Sequence, residues 1–126
     1  MHMKGVVHRD MNPINVFIKD GEELKIIDFN VSKLADSKSR INEEGSKFKY
    51  SIFTKTGTPI YTAPEMHSSF RYTESIDMWG AGIILYTLLM GNPPFDEVSI
   101  PKLLEKLLNE DYDRQSNEWL SLSKEA

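Results

Sequence analysis

The residues of this chain that could do chemistry lie near its start. His8-Arg9-Asp10-Met11-Asn12-Pro13-Ile14-Asn15 places an amide five residues after an acid. Thirteen residues after Asn15 a second acid follows in Asp28-Phe29-Asn30, at the end of an apolar run. A carboxylate and an amide oxygen are hard ligands suited to a small divalent cation. A further carboxylate can take a proton from a hydroxyl. The set therefore suits metal-assisted chemistry at a hydroxyl group. Asp10 alone could equally be a turn or cap residue. The Asn five positions on and the Asp eighteen positions on favour chemistry instead.

The elements that must position these residues are short. Asn15-Val16-Phe17-Ile18 reads as a strand, Asp20-Gly21 as a tight turn and Leu24-Lys25-Ile26-Ile27 as the return strand. One hairpin then carries both candidate segments on its ends. A two-stranded hairpin is marginal by itself, so it must pack on something. Before it, residues 1–5 read as a helix end stopped at Gly5, and Val6-Val7 as a β-prone pair.

After the hairpin, residues 35–51 are polar, mixed in charge and without period, which predicts a long solvated loop. Pro59 and Pro64 forbid a strand or helix across 57–65, and Pro64 opens a short helix towards His67. Ile76 to Met90 is the main predicted helix, capped through Thr73, Glu74 and Ser75 and stopped by Gly91 and Pro93-Pro94. Ile76, Trp79, Ile83, Tyr86 and Met90 share one face, while Ile84, Leu85, Leu88 and Leu89 cover much of the rest. A helix apolar nearly all round belongs in a core. Asp77 is its odd member, because a buried carboxylate without partners costs several kcal/mol. Ser99 is placed to cap a further helix, with Ile100, Leu103, Leu104, Leu107 and Leu108 at helical spacing. Beyond Asn109 the chain is irregular up to Trp119-Leu120, and residues 121–126 read as the start of another helix. His2 and His67 read as surface or packing histidines, and Trp79 and Trp119 as core or interface anchors.

Composition narrows the classes. The 126 residues suffice for one domain, and 40% hydrophobic with 27% charged residues is an ordinary soluble balance. A net charge of −4 carries no nucleic-acid footprint. The absence of cysteine excludes disulfides and thiolate metal sites. The longest apolar run, Ala81 to Met90, is far below the roughly 20 residues of a membrane span. No membrane partner is expected, and with no signal-peptide core at Met1-His2-Met3-Lys4 an intracellular, cytoplasmic location is expected.

Five ordered motifs carry a resemblance. They are His8-Arg9-Asp10…Asn15, Asp28-Phe29-Asn30, Gly57-Thr58-Pro59…Tyr61…Ala63-Pro64-Glu65, Asp77…Trp79-Gly80…Gly82 and Gly91…Pro93-Pro94-Phe95. Together they resemble the catalytic domain of the eukaryotic protein kinases, serine/threonine type. The resemblance covers the whole chain and implies an α+β, protein-kinase-like fold. That fold is a mostly helical C-terminal lobe with a small β-hairpin carrying the catalytic and metal-binding loops, the N-terminal lobe being absent. Residues 1–126 then form a partial kinase domain, with catalytic loop 8–15, activation segment 28–65 and core helix about 76–90. The tail Tyr112…Trp119-Leu120-Ser121…Glu125-Ala126 looks most like the calcium/calmodulin-dependent group.

The resemblance also implies roles. The reaction would be Mg²⁺-dependent transfer of the γ-phosphoryl group of ATP to a Ser or Thr hydroxyl of a protein substrate. Asp10 would accept the hydroxyl proton, and Asn15 and Asp28 would hold Mg²⁺. Thr58 would hydrogen-bond the catalytic acid. Arg9 would pair with an activation-loop phosphate, with Thr54 the first candidate and Thr56 the second. His8 would brace the Asp28 segment, and Asp77 would be satisfied by backbone amides of the His8-Arg9 turn. Glu65 would pair with an arginine past Ala126, so it is expected to stand free here.

Two positions depart from the family pattern. Asn12 stands where a lysine usually touches the transferred phosphate; it can donate a hydrogen bond but brings no charge. A charge-assisted contact is worth roughly 1.5–3 kcal/mol, so its loss would slow transfer about ten- to a hundred-fold. Asn30 stands where glycine is usual, and Asn is well suited to a left-handed backbone there. The Gly-rich loop, the Val-Ala-x-Lys strand and the αC glutamate have no counterpart in this sequence. The alternative reading is a pseudokinase-like binding or scaffold module, or an inactive truncated product. Expressed alone, the 126-residue chain is expected to be poorly folded and not to bind ATP. Calorimetry checks this: a cooperative transition shifted by Mg·ATP would refute it.

Overall fold

The computed structural model describes residues 1–34, 50–51, 59–68 and 71–124. Most of the expected loop at 35–51, and Thr54, Thr56 and Thr58, lie outside the described residues.

The chain begins with a 3-10 turn, His2–Lys4, closed by Gly5 in the left-handed conformation (φ 74°), whose amide donates to the His2 carbonyl at 2.8 Å. Strand β1 (Val6–Val7) follows and leads into His8. A second 3-10 turn, Pro13–Asn15, runs directly into β2 (Val16–Lys19). Strand β3 (Glu23–Ile26) returns antiparallel, with Val16 opposite Ile26 and Lys19 opposite Glu23. Asp20 (φ 52°) and Gly21 (φ 80°) make the reversal, both being residue types that tolerate left-handed backbone. Strand β4 (Lys33–Leu34) then pairs antiparallel with β1. The segment after Asp28 is thereby tied beside the entry to His8.

Strand β5 (Tyr50–Ser51) pairs with β6 (Arg71–Tyr72). Between them lie a 3-10 turn, Pro59–Tyr61, and the short helix α1 (Glu65–Ser68), which begins just after Pro64. Helix α2 (Ser75–Met90) ends at Gly91 (φ 81°), whose amide donates to the Thr87 carbonyl at 2.9 Å. At its start Glu74 makes no side-chain cap bond, and Thr73 Oγ1 accepts from the Ser75 amide at 3.2 Å. Helix α3 (Ile100–Asn109) follows an extended Ser99 whose side chain, contrary to expectation, makes no cap bond. Pro101 in the first turn leaves one fewer amide there to satisfy. The last helix, α4 (Asn117–Leu120), lies before the expected start at 121, because Ser116 Oγ accepts from the Trp119 amide and caps it.

Two apolar clusters form the core. Val7, Ala63, Tyr72 and Ile76 make one; Ile83, Phe95, Leu103 and Leu107 make the other. Trp79 packs on both and stacks on Phe95, with ring centroids 6.3 Å apart. Trp119 instead sits against Tyr86 and Tyr112, at 5.9 and 5.3 Å. Burial first, then the charge of Asp113, then Tyr112, raise the Tyr86 phenol above its usual range.

The expectation that α2 is enclosed on all sides is corrected. It buries Ile76, Asp77, Gly80 and Ile83, whereas Met78, Leu85, Leu88 and Leu89 are exposed. An apolar groove of about 910 Å³ lies beside it, lined by Trp79, Tyr86, Leu89, Phe95, Leu107 and Trp119 among others. The hairpin is corrected likewise: Phe17, Ile18, Leu24 and Ile26 are exposed, so the packing partner it needs is not found among the described residues. On α3, Leu103 and Leu107 are buried but Ile100 and Leu108 are exposed.

One glycine is fixed by close approach. A Cβ on Gly80 would come within 2.7 Å of both Cβ and the carbonyl oxygen of Met11, so α2 and the 8–15 loop meet there without room for a methyl group. Gly82 faces open space. Gly→Ala inside a helix ordinarily stabilises by about 0.8–1 kcal/mol. Overpacking costs typically about 1–3 kcal/mol, and the obstacle at Gly80 is backbone. Gly80→Ala is therefore expected to be net destabilising and Gly82→Ala neutral to stabilising. Denaturant midpoints of the two variants measure the difference.

Candidate functional site

The 8–15 loop is held from below by one carboxylate. Asp77, on the first turn of α2, is only 3% exposed. Its Oδ2 accepts from the His8 amide and its Oδ1 from the Arg9 amide, each at 2.8 Å. Two successive amides converge on one anion because Arg9 adopts a left-handed conformation (φ 71°), the geometry of a backbone anion nest. For a non-glycine residue that conformation carries strain of about 1–3 kcal/mol, which the charge-assisted bonds offset. These amides are the partners that the kinase resemblance assigns to Asp77.

Asp77 Oδ2 takes a third donor, His2 Nε2, at 2.7 Å. His2 is the residue that sequence reasoning passed over as a lone surface or packing histidine. The two residues are 75 positions apart, and only the fold brings them together. The signal that pointed to a contact was Asp77 itself, an acid on an apolar helix in need of donors.

His8 is fully buried and links the two acid segments. Its Nε2 donates to the Ile27 carbonyl at 2.8 Å, while its Nδ1 accepts from the Asp10 amide at 3.3 Å. These bonds together select the tautomer protonated at Nε2. The ring also meets Phe29 edge-on, with centroids 4.8 Å apart. From the other side the Ile27 amide donates to the Asn15 carbonyl at 2.9 Å. Residue 27 is thus pinned between His8 and Asn15, and Asp28 is delivered next to the end of the Pro13–Asn15 turn.

Around Asp10 the side chains converge. Asn12 Nδ2 donates to Asp10 Oδ1 at 2.9 Å, and Asn15 Nδ2 lies 3.2 Å from Asp10 Oδ2 and 2.9 Å from the Asp10 carbonyl. Asn12 Oδ1 accepts from the Ile14 amide at 3.0 Å and so caps the turn. Arg9 turns away from this cluster. Its Nε donates to the Val31 carbonyl, and Nη1 lies 3.4 Å from the Tyr72 hydroxyl.

Asp28 is exposed and left-handed (φ 58°), and its Oδ1 accepts from the Asn30 amide at 3.3 Å. Asn30, although suited to a left-handed backbone, does not adopt one. The strain falls on Asp28, whose own side chain closes the turn two residues on. Glu65 is not free as expected, because Ser75 Oγ donates to its Oε1 at 3.4 Å.

The donor set fits a hard divalent cation. Asn15 turns its amide nitrogen to Asp10, so its side-chain oxygen could serve as a ligand, and Asp28 brings an exposed carboxylate. Among the described residues no group of three or more His, Cys, Asp or Glu could hold a metal. Two protein oxygens with the remainder from phosphate and water is the way Mg²⁺ is usually held beside nucleotides. No helix among the described residues is long and apolar enough to cross a membrane.

The family model for the protein kinase domain matches residues 1–126. The chain belongs to the protein kinase domain family. The kinase domain here is 38% identical over 135 residues to a probable myosin light chain kinase of Dictyostelium discoideum, covering all of this chain and 39% of that protein. It is 34% identical over 129 residues to myosin light chain kinase A of the same organism, again covering all of this chain and 40% of that protein. It is 36% identical over 112 residues to CBL-interacting serine/threonine-protein kinase 21 of Arabidopsis thaliana, covering 88% of this chain and 24% of that protein. The chain spans two fifths or less of the length of these curated relatives.

Replacing Asp77 by Asn tests the seat of the loop. One of the two amides would then face an NH₂ group instead of an oxygen. An unsatisfied buried donor costs about 1–3 kcal/mol. Asp77→Asn is expected to lower stability by that amount in a chemical unfolding curve, and a change within error would show that the nest does not hold the loop.

Proposed function

We propose that this chain is the catalytic-loop to late-helix portion of a serine/threonine protein kinase, forming the C-terminal lobe of its catalytic domain. The single observation that carries the reading is the Asp10 carboxylate, held by two amides beside a loop that brings Asn15 and Asp28 together. The names of the relatives support the serine/threonine type. The exposed hairpin and the groove beside α2 support a C-terminal lobe that packs against further parts of the same kinase. The tail around Tyr112 and Trp119 supports the calcium/calmodulin-dependent group.

In this reading Asp10 takes the proton of the acceptor Ser or Thr hydroxyl of a protein substrate. The hydroxyl oxygen bonds to the γ-phosphorus of ATP, the bond from γ-phosphorus to the bridging oxygen breaks, and ADP leaves. Asn15 and Asp28 would hold Mg²⁺, which when bound neutralises charge on the β- and γ-phosphates. Arg9 serves as the partner of an activation-segment phosphate at Thr54 or Thr56, and Thr58 supports Asp10; all three threonines lie outside the described residues. His8, Glu65 and Asp77 are structural. ATP and a protein are the partners, with no nucleic acid or membrane, and the location is intracellular.

A pseudokinase-like scaffold is the second reading, and one observation favours it. Position 12 carries no charge, and its side chain is already engaged by Asp10 and Ile14. Transfer of labelled phosphate by the complete polypeptide separates the two. Asp10→Asn is expected to reduce transfer about 10²- to 10⁴-fold, the range of general-base catalysis. Transfer that survives the substitution would sink the enzyme assignment to Asp10, and a wild-type protein without transfer would favour the scaffold.

A further inference from the structure

We infer that Asn12 is a positioning residue: it acts through Asp10 and makes no contact with the phosphoryl group in transfer. The inference rests on the kinase reading of this site and changes the role that the sequence suggests for position 12.

An Asn side chain offers two N–H donors and one oxygen. In Asn12 all three are engaged. The amide nitrogen reaches Asp10 Oδ1 at 2.9 Å and the Asp10 carbonyl at 3.3 Å, and the oxygen accepts from the Ile14 amide at 3.0 Å. The residue is 4% exposed, so it has neither a spare donor nor the access to meet a phosphate.

The local sequence explains why the amide points there. Asn12 is extended (φ −148°, ψ 166°), as a residue before proline prefers to be. Pro13 then starts the 3-10 turn with its fixed φ. Asn12 caps the turn and Asn15 ends it, and their amides converge on Asp10, each taking a different oxygen of its carboxylate. The carboxylate is gripped at both oxygens and cannot rotate without breaking a bond.

A lysine at position 12 could not build this clamp. It has no acceptor for the Ile14 amide, and its ammonium sits at the end of a long flexible stem. At position 12 the chain thus has a fixed amide where the family pattern has a mobile cation. Fixing the group that meets the acceptor hydroxyl serves the chemical step, because orientation lowers the barrier without altering nucleotide affinity.

The test uses the complete polypeptide with Asn12→Ser, Asp10→Asn and the double variant. Serine retains an oxygen that can cap the turn but has no amide to give Asp10. Loss of one hydrogen bond to a charged group predicts a drop in kcat of about ten- to a hundred-fold for Asn12→Ser, with KM for ATP unchanged. In the Asp10→Asn background the same substitution is expected to cause no further loss, since its effect runs through that carboxylate. Losses that multiply, or a raised KM for ATP, overturn the inference in favour of a direct phosphate contact. A wild-type protein that transfers no phosphate overturns the kinase reading itself. The clamp is then read without activity, from hydrogen exchange of the Asn12 side-chain amide by NMR. Asp10→Ala is expected to speed that exchange, and unchanged exchange overturns the clamp.

Discussion

The rest of the site depends on the Asp77 carboxylate accepting two consecutive backbone amides. A buried acid tolerates an apolar helix only when strong donors surround it, and the amides of His8 and Arg9 with His2 Nε2 meet that need. The benefit is mutual, because those amides would otherwise be buried donors at a bend of the chain. Three residues further along α2, Gly80 faces Met11 with no room for a methyl group. Asp77 and Gly80 share a helix face at this spacing. One draws the loop in electrostatically, and the other lets it approach. Met11 lies between Asp10 and Asn12, so the helix sets the height and tilt of the Asp10 carboxylate.

From that anchor the second acid segment is positioned mainly through backbone groups. His8 grips the Ile27 carbonyl, Asn15 accepts the Ile27 amide, and β4 pairs with β1 on the far side of Asp28. Asp28 itself is exposed and needs no burial to be placed. The left-handed conformations at Arg9 and Asp28 are the local cost of turning the chain sharply enough to present both. Strain of this kind persists only where surrounding contacts over-determine it, and the bonds at residues 8, 9 and 27 do so.

Much of this was legible in the sequence, and the failures have physical causes. The hairpin and the Ile76–Met90 helix follow from local pattern, stop signals and period, and the structure has strands at Val16–Lys19 and Glu23–Ile26 and a helix at Ser75–Met90. The His2–Asp77 contact was not legible, because sequence pattern shows that a buried acid needs donors without saying which distant residue supplies them. Asn12 was read by what it lacks, a charge. Its hydrogen-bonding capacity depends on an extended residue meeting a 3-10 turn, which a motif does not encode. Asn30 stands where glycine is usual and suits a left-handed backbone, but it does not adopt one. The chain places the left-handed residue at Asp28, where the carboxylate accepts the Asn30 amide. Capping by Ser99 failed for a related reason: a favourable residue type does not secure the rotamer.

The apolar character of α2 is legible in the sequence but its burial is not, because a helix apolar nearly all round does not show which face is covered. Ile76, Asp77, Gly80 and Ile83 are the buried residues of the helix, and Asp77 and Gly80 among them seat the 8–15 loop. Met78, Leu85, Leu88 and Leu89 are exposed. The groove runs along both halves of the helix, from Met78 and Trp79 to Leu89. Polar contacts to backbone fix the site, and apolar area fixes the association of the helix with whatever covers the groove. Asp77 and Gly80 do not line the groove, so the polar seat of the 8–15 loop and the apolar groove use different residues of one helix.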